Sequence, residues 1–183
     1  MSTTGIFQTN TGLDTRASAA YATNCFIMGQ CKRSAVYTKD MQVSTNDSRA
    51  SFTVQPDVSY LEASLTHRRS LSAALAYYGL EDNYSCWEEQ LIVYPRGGGI
   101  RLHVDQEAYG QVVAPRRQFT TLLYLNGAEQ FKGGEIEFPR QGIRITPHPG
   151  LIVAFPGTVD YPHFVHPITD GLRVVFSKSW GQV

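Results

Sequence analysis

The sequence predicts a mainly β protein of the α+β kind, a jelly roll of two packed antiparallel sheets with one or more supporting helices on the outer sheet. The jelly-roll core is expected over residues 88–180, where eight short apolar runs are separated by Gly and Pro. No helical periodicity interrupts these runs, and such a series of strands builds a sandwich or a barrel. One clear amphipathic helix precedes them. With 183 residues, the chain is most simply a single domain, residues 1–183.

The N-terminal part of the chain carries weaker patterns. Residues 1–23 are rich in Thr, Ser, Asn and Gly and contain few large apolar residues, so we expect a poorly ordered arm or an irregular first layer. Residues 25–54 contain the short β-prone runs CFIMGQ, SAVY, MQVS and SFTV, which are broken by polar turns. These runs favour edge strands beside a main sheet.

The clearest helix is predicted over residues 60–78, and Gly79 ends it because glycine readily adopts the left-handed conformation found after a helix C-terminus. His67 falls at the border of the apolar stripe of this helix, so we interpret it as a partly solvated side chain and not as a ligand. The stripe itself recurs at helical spacing and is expected to lie on a sheet. Its members are Leu61, Leu65, Leu71, Leu75 and Tyr78.

Charge and hydropathy exclude several classes of partner. Lys plus Arg and Asp plus Glu number 16 each, with no long run of one sign, so the chain lacks the charge pattern of a protein that binds nucleic acid or an anionic membrane. It also lacks the pattern of a signal peptide and an apolar run of about 20 residues. Its three Cys have no zinc-type spacing and are interpreted as reduced thiols. We therefore expect a soluble cytoplasmic protein with a small-molecule or peptidyl substrate, no nucleic-acid or membrane partner, and an oligomeric state that the sequence leaves open.

A group of metal-binding side chains is predicted from the segment YPRGGGIRLHVD, residues 94–105. His103 and Asp105 stand two positions apart in an expected strand and therefore share one face. Downstream, HFVHPITDGLR supplies a third ligand, either His163 or His166. These two differ by an odd number of positions, so only one can face the interior of a regular strand. Two His and one carboxylate form the facial triad of non-haem iron(II) oxygenases, which leaves three adjacent metal positions open.

Four blocks in the second half of the chain resemble the iron(II)- and 2-oxoglutarate-dependent dioxygenases, and among them the prolyl hydroxylase-like branch. The blocks are Y-P-x-x-G ahead of H-V-D at 103–105, R-x-x-T-x-L-x-Y-L-N at 117–126, G-G-E-x-x-F-P at 133–139 and H-x-V-x-P-x-x-x-G-x-R at 163–173. The resemblance implies a double-stranded β-helix with iron at its open mouth. It selects His163 as the third ligand and leaves His166 as a rim or packing residue.

The resemblance also implies a cosubstrate site. Arg173, which opens the apolar strand LRVVF, is expected to bind the distal carboxylate of 2-oxoglutarate through two parallel hydrogen bonds. The alternative for this guanidinium is a salt bridge to a buried carboxylate of the protein. Tyr124 is expected to lie against the same cosubstrate carboxylate, and Tyr94 near the metal and the cosubstrate. On the sequence alone, both tyrosines are also compatible with ordinary packed aromatic residues.

The implied activity is hydroxylation of an unactivated C–H bond, with release of succinate and CO2. The substrate is expected to be a prolyl or other amino-acid side chain, peptidyl or free. The cofactors are expected to be iron(II), 2-oxoglutarate and dioxygen, with ascorbate as a stimulating reductant. Two other functions stay open, a non-catalytic jelly-roll module that binds a metabolite and a nucleic-acid demethylase. The related demethylases carry a second Arg six residues after the cosubstrate Arg, and this chain has Ser179 there.

Three residues are candidates for contact with the primary substrate. Tyr109 and Arg116 lie in the loop after the carboxylate ligand, where loops of this kind commonly cover an active site. Trp180 resembles the closing Trp of the family. It stands seven residues after Arg173, whereas most relatives have six, and on a regular strand the extra residue turns Trp180 toward the opposite face.

Overall fold

The computed structural model describes residues 5–34, 36–37, 43–44, 49–108, 111–112 and 114–183. Its elements, in chain order, are β1 (Phe7–Asn10), α1 (Arg16–Ile27), β2 (Lys32–Arg33), β3 (Val36–Tyr37), β4 (Val43–Ser44), β5 (Arg49–Ala50), β6 (Phe52–Val54), a 3-10 turn (Val58–Tyr60), α2 (Leu61–Tyr77), β7 (Tyr84–Tyr94), β8 (Gly99–His103), β9 (Glu107–Ala108), β10 (Gln111–Val112), β11 (Phe119–Tyr124), β12 (Phe131–Gly133), β13 (Ile136–Phe138), β14 (Ile143–Ile145), β15 (Leu151–Pro156), β16 (His163–Val165), β17 (Ile168–Gly171) and β18 (Arg173–Gln182). Neither helix of the described chain has the length and apolar character of a membrane crossing.

Two antiparallel sheets form the predicted jelly roll. The major sheet has seven strands in the order β1-β15-β11-β18-β7-β6-β2, and the minor sheet has five in the order β14-β13-β16-β8-β5. The eight apolar runs of the sequence all form strands, and four of them belong to each sheet. The mainly β fold with supporting helices is therefore confirmed.

The main core lies between the two sheets. Tyr124, Phe155 and Val175 of the major sheet pack in one cluster with Ile136 and Phe138 of the minor sheet. Each large apolar side chain buried in this way stabilises the fold by about 1.5–3 kcal/mol. Alternate positions of every strand point inward, so the same strands also carry polar side chains into the space between the sheets.

The opposite face of the major sheet is covered by the two helices. α1 packs through the small side chains of Ala19, Ala22 and Cys25, while β1 pairs with β15. Of the two alternatives predicted for residues 1–23, the poorly ordered arm is therefore wrong for the described part, which forms a layer of one strand and one helix against the sheet. The run CFIMGQ begins inside this helix. The prediction failed because a helix buried through small residues leaves no stripe of large apolar residues in the sequence.

α2 covers the centre of the same face, and its buried side is rotated away from the predicted stripe. Leu71 and Leu75 are fully buried, but Leu61 and Leu65 are 67% and 44% exposed. The helix lies close to the sheet because many residues at the contact are small. His67 falls inside this contact and is fully buried, so its interpretation as a partly solvated side chain is wrong.

His67 is held in an environment that disfavours its charged form. Its ring lies 5.2 Å from the ring of Phe176, and its Nδ1 is 2.8 Å from the Oγ1 of Thr121. Burial and the nearby positive charge of Lys178 lower the pKa of His67 to about 3. The imidazole is therefore neutral at neutral pH, and folding disfavours its protonation.

We expect His67 to make the protein less stable in acid. The unfolded chain protonates this residue near its usual pKa of about 6.5, so below that pH the unfolded state binds more protons and the free energy of unfolding falls. For this group alone, the expected loss is about 3 kcal/mol between pH 7 and pH 4. His67→Phe should remove that loss, and the exposed-site control His148→Phe should keep it. Urea unfolding at a series of pH values measures the difference, and parallel profiles for the wild type and His67→Phe would contradict the expectation.

Candidate active site

Three potential metal ligands meet at one end of the space between the sheets. β8 and β16 are antiparallel neighbours with His103 opposite His163, and Asp105 follows two residues after the end of β8. The donor atoms of these three residues all lie within 4.8 Å of one another. The Oδ1 of Asp105 is 3.5 Å from His103 Nε2 and 3.7 Å from His163 Nε2. Two imidazole nitrogens and one carboxylate oxygen could therefore bind the same ion.

A bulge in β8 determines which residues face this site. Between the pairs His163 with His103 and Val165 with Ile100, β16 advances by two residues and β8 by three. The extra residue lets Ile100 and His103 both line the cavity, although they are an odd number of positions apart. β16 itself is regular, and both His163 and Val165 are buried. His166 lies elsewhere, with its Nε2 2.8 Å from a carboxylate oxygen of Glu137.

Backbone carbonyls orient both imidazoles. The Nδ1 atoms of His103 and His163 lie 2.9 Å from Arg101 O and 3.1 Å from Tyr161 O. If each Nδ1 donates to its carbonyl, each Nε2 is left with a lone pair directed at the site. Thr120 donates its hydroxyl hydrogen to Oδ2 of Asp105, so the other oxygen faces the two imidazoles.

The protonation states of this group suit metal binding. Burial raises the pKa of Asp105, but the contact with His103 and the charge of His163 outweigh it and hold that pKa well below its usual range. Burial and the charge of His103 lower the pKa of His163 to about 4. At neutral pH the carboxylate is ionised and the buried imidazole is neutral, as a metal ligand must be.

The deep end of the same cavity contains a buried cation. Arg173 is 1% exposed, and its guanidinium carbon lies 4.6 Å from the ring centre of Tyr94 and 5.0 Å from that of Tyr124. Among the described residues, the Nε and Nη1 of Arg173 and the hydroxyl of Tyr124 have no hydrogen-bond partner. Burial raises the pKa of Tyr124, so its hydroxyl keeps the hydrogen it could donate. The Tyr124 hydroxyl lies beside the Arg173 guanidinium, and no carboxylate of the described chain forms a salt bridge with Arg173. A bound carboxylate would satisfy these donors.

The mouth of the cavity is polar and charged, which the sequence did not reveal. The Oε2 of Glu88 accepts hydrogen bonds from the Nε and Nη2 of Arg117 at 2.9 and 2.5 Å. Ser177 and Ser179 line the same wall. These two serines could have been found, because they stand four and six residues after Arg173 on one strand and therefore share its face. Arg49 also lines the cavity, and no motif pointed to it.

The structure places the three predicted substrate-contact residues in different positions relative to the cavity. Arg116 is exposed, and its guanidinium carbon lies 4.4 Å from the ring centre of Trp87, outside the cavity lining. Tyr109 lies outside the described residues. Trp180 is 3% exposed and packs with Leu71 of α2; its indole N–H donates to Thr121 Oγ1 at 2.8 Å. Trp180 as a substrate contact is therefore wrong, because β18 runs regularly and turns this position toward the helices.

A scan against family models matches residues 89–180 to the 2OG-Fe(II) oxygenase superfamily. No curated protein matches the chain by sequence. Among solved structures, a prolyl hydroxylase from Trichoplax adhaerens in complex with a hypoxia inducible factor peptide fragment is similar with a TM-score of 0.71 and 20% identity, over 98% of this chain and 84% of that one. A viral collagen prolyl hydroxylase from Paramecium Bursaria Chlorella virus-1 gives 0.67 and 16% over 97% and 96%. A prolyl-4-hydroxylase from Pseudomonas putida gives 0.66 and 23% over 98% and 93%. These likenesses concern the fold.

We expect Thr120 to position the carboxylate of Asp105 for metal binding. Thr120→Val keeps the shape of the side chain but removes the donor, so the carboxylate can rotate and divalent metal affinity should fall about 10- to 100-fold. Thr120→Ser retains the hydroxyl and should stay near the wild-type value. Calorimetric titration with Mn(II) measures both constants. Equal affinity in the wild type and a folded Thr120→Val variant would show that this hydrogen bond does not orient the ligand.

Proposed function

The chain belongs to the 2OG-Fe(II) oxygenase superfamily, and from that premise we propose that it hydroxylates an unactivated C–H bond of a prolyl or other amino-acid side chain. The substrate is peptidyl or free, and succinate and CO2 are released. The protein is accordingly an enzyme, a dioxygenase whose cofactors are iron(II), 2-oxoglutarate and dioxygen. The observation that carries the proposal is that one cavity contains three residues able to bind a metal ion and a buried guanidinium whose Nε and Nη1 have no hydrogen-bond partner among the described residues.

In this proposal His103, Asp105 and His163 hold the iron. The donor set supports it, since two imidazoles and one carboxylate suit iron(II) and leave coordination positions open for cosubstrate and dioxygen. The hydrogen bonds to the backbone and to Thr120 orient the ligands before the metal binds. His166 has no part in this site, because its imidazole pairs with Glu137.

The cosubstrate carboxylate is proposed to bind at the deep end of the cavity. The unpaired donors of Arg173 and Tyr124 support this assignment, because a carboxylate is the acceptor that a buried guanidinium and a neutral phenol require. Tyr94 supports it in a different way, by covering the guanidinium with its ring. The alternative partner for Arg173, a buried carboxylate of the protein, is not found at salt-bridge distance within the described chain.

Iron(II) with 2-oxoglutarate and dioxygen supplies, when bound, the oxidative decarboxylation and C–H hydroxylation chemistry of the superfamily. The side chains between the metal ligands and Arg173 exclude water from that chemistry. Ile92, Val175 and Val165 line this middle layer of the cavity. An apolar lining that excludes water protects reactive species from solvent. It also strengthens the attraction between Arg173 and a bound carboxylate.

Among the possible substrates, a prolyl side chain is the one we favour. The four sequence blocks that resemble the prolyl hydroxylase-like branch support this choice, and so does the shared fold. A non-catalytic binding module is disfavoured by membership in an oxygenase family. A demethylase acting on nucleic acid is disfavoured because the cavity carries Ser179 where those relatives have a second Arg. A cytoplasmic location stays a prediction from the sequence.

The proposed function is tested by anaerobic addition of iron(II) and 2-oxoglutarate to the full chain. A weak visible charge-transfer band is expected when both bind at adjacent metal positions. On admission of oxygen, 2-oxoglutarate should be converted to succinate. Mass spectrometry of proline-containing peptides and free L-proline should then reveal a gain of one oxygen atom. Absence of both the band and succinate from a folded, iron-supplied protein would overturn the proposal.

We expect the two downstream histidines to respond in opposite ways to substitution. His163→Ala removes a proposed ligand and should abolish tight iron binding, with severe loss of turnover. His166→Ala removes only the partner of Glu137 and should leave iron binding largely intact. Metal titration of both variants, with circular dichroism as a check of folding, compares them. Loss of iron binding in His166→Ala with retention in His163→Ala would mean that the ligand assignment is wrong.

Arg173→Ala should weaken 2-oxoglutarate binding with little effect on iron. Loss of a buried charge-assisted pair costs about 2–4 kcal/mol, so the apparent affinity should fall on the order of 100-fold. Titration of the charge-transfer band with 2-oxoglutarate gives this constant, and Mn(II) binding gives the metal affinity. Arg140→Ala, at an exposed site, is the control. Equal loss of metal and 2-oxoglutarate binding would indicate that Arg173 supports the fold and does not anchor the cosubstrate.

A further inference from the structure

Arg49 is a second, nearly buried cation in the cavity that contains the metal ligands. It lies on β5, at the edge of the minor sheet, with its Cα opposite that of Ile100 on β8. Its exposure is 9%, and its side chain lines the cavity. Because β5 pairs with β8, and β8 also contains His103, the Arg49 guanidinium lies near the three proposed metal ligands.

The hydrogen-bond partners of Arg49 are neutral. Its Nε donates to the hydroxyl of Ser51 at 2.9 Å, and its Nη2 donates to Oε1 of Gln90 at 3.2 Å. No carboxylate of the described residues forms a salt bridge with it. The acidic side chain of this wall, Glu88, is already engaged, because one oxygen binds Arg117 and the other accepts from Gln90 at 2.5 Å.

Among the described residues, the mouth of the cavity therefore has a positive charge that no carboxylate compensates. Arg49, Arg117 and Glu88 are linked through Gln90 in one hydrogen-bonded chain, and two cations with one anion leave a net charge of about +1. Charged groups are rarely buried without a counterion, because desolvation costs several kcal/mol unless an opposite charge offsets it. The described chain offers Arg49 no counterion, and a ligand that enters the mouth would supply one.

The cosubstrate proposed for the deep end does not neutralise this charge. Gln90, the partner of Arg49, stands four residues before Tyr94 on β7, and Tyr94 lies opposite Arg173. Four residues of strand span about 13 Å. The apolar side chain of Ile92 lines the wall between these two levels. The cavity thus presents two separate cationic positions, one deep and one at the mouth.

We propose that Arg49 is a specificity residue that binds a carboxylate of the primary substrate at the mouth of the cavity. The inference rests on the proposed function, and it narrows the substrate to amino acids with a free carboxylate or to peptides with an acidic group near the oxidised residue. A planar guanidinium binds a carboxylate through two parallel hydrogen bonds, which fixes orientation as well as affinity. Neutral, end-blocked substrates leave the guanidinium without an anionic partner and are discriminated against.

The test compares matched acids and neutral compounds on the iron- and 2-oxoglutarate-loaded enzyme. One arm contains the free L-amino acids, a second contains their C-terminal amides, and a third contains end-blocked proline peptides with and without Asp or Glu. Succinate release above the level without substrate and a gain of one oxygen are measured. The wild type should prefer an acid over its amide by at least about 10-fold, the scale of one charge-assisted hydrogen bond. The first and third arms distinguish a free amino acid from an acidic peptide.

Substitution of the guanidinium gives the second measurement. Arg49→Gln should raise the KM for the preferred acid about 10- to 100-fold and remove the preference over the amide. The KM for 2-oxoglutarate and the charge-transfer band should not change. Arg49→Lys keeps the charge without the planar fork and should be intermediate. Arg140→Gln, at an exposed site, is the matched control.

Three results would overturn the inference: equal rates for acids and amides, turnover confined to neutral blocked peptides, or no response to any acid. The preference of the wild type is decisive by itself, so the test does not depend on the folding of Arg49→Gln. Failure of the proposed function looks different, because the charge-transfer band and succinate would then be missing from the wild type as well.

Discussion

The burial of Arg173 is the constraint on which the site depends. Its guanidinium lies between two tyrosine rings at the closed end of the cavity, and the described chain provides no carboxylate for it. An arrangement of this kind costs free energy in the empty protein and is compensated when an anion binds. The central strands of the major sheet hold the cation in place, since β18 is paired on one side with β7 and on the other with β11. The folded protein is therefore less stable without a bound anion than it would be with an uncharged residue packed at this position.

The two sheets contribute different parts of the chemistry. β8 and β16 of the minor sheet bring His103 and His163 together, whereas the major sheet supplies the deep cation and Thr120. Asp105, just beyond β8, accepts a hydrogen bond from Thr120. This hydrogen bond connects the two sheets beside the proposed metal ligands. A shift of one sheet over the other would separate the proposed metal ligands from Arg173, the proposed cosubstrate anchor. The packed core between the sheets therefore also fixes the distance between the proposed metal ligands and Arg173.

Polarity changes in layers along β7 and β18. The deep end has Arg173 opposite Tyr94, the next inward pair is Val175 with Ile92, and the outer pairs carry hydroxyl, amide and carboxylate groups. An apolar layer between two charged ends keeps water from the deep cation while the mouth remains polar enough to receive a charged substrate. We propose that the deep end binds the cosubstrate and that the outer residues, above all Arg49, select the primary substrate.

The sequence by itself determined the eight strands of the jelly roll and the common face of two of the three proposed metal ligands. Alternation and turn residues mark strands because both are local properties, and the spacing of His103 and Asp105 fixes their common face. Other features depend on long-range packing and were decided only by the tertiary structure. The β8 bulge, the burial of His67 beneath α2 and the position of Arg49 beside Gln90 all depend on which elements pack together. Contacts between residues distant in sequence have no periodicity, so the charged mouth could not be predicted from the chain alone. α1 was missed for a different reason, because its buried residues are small and form no apolar stripe.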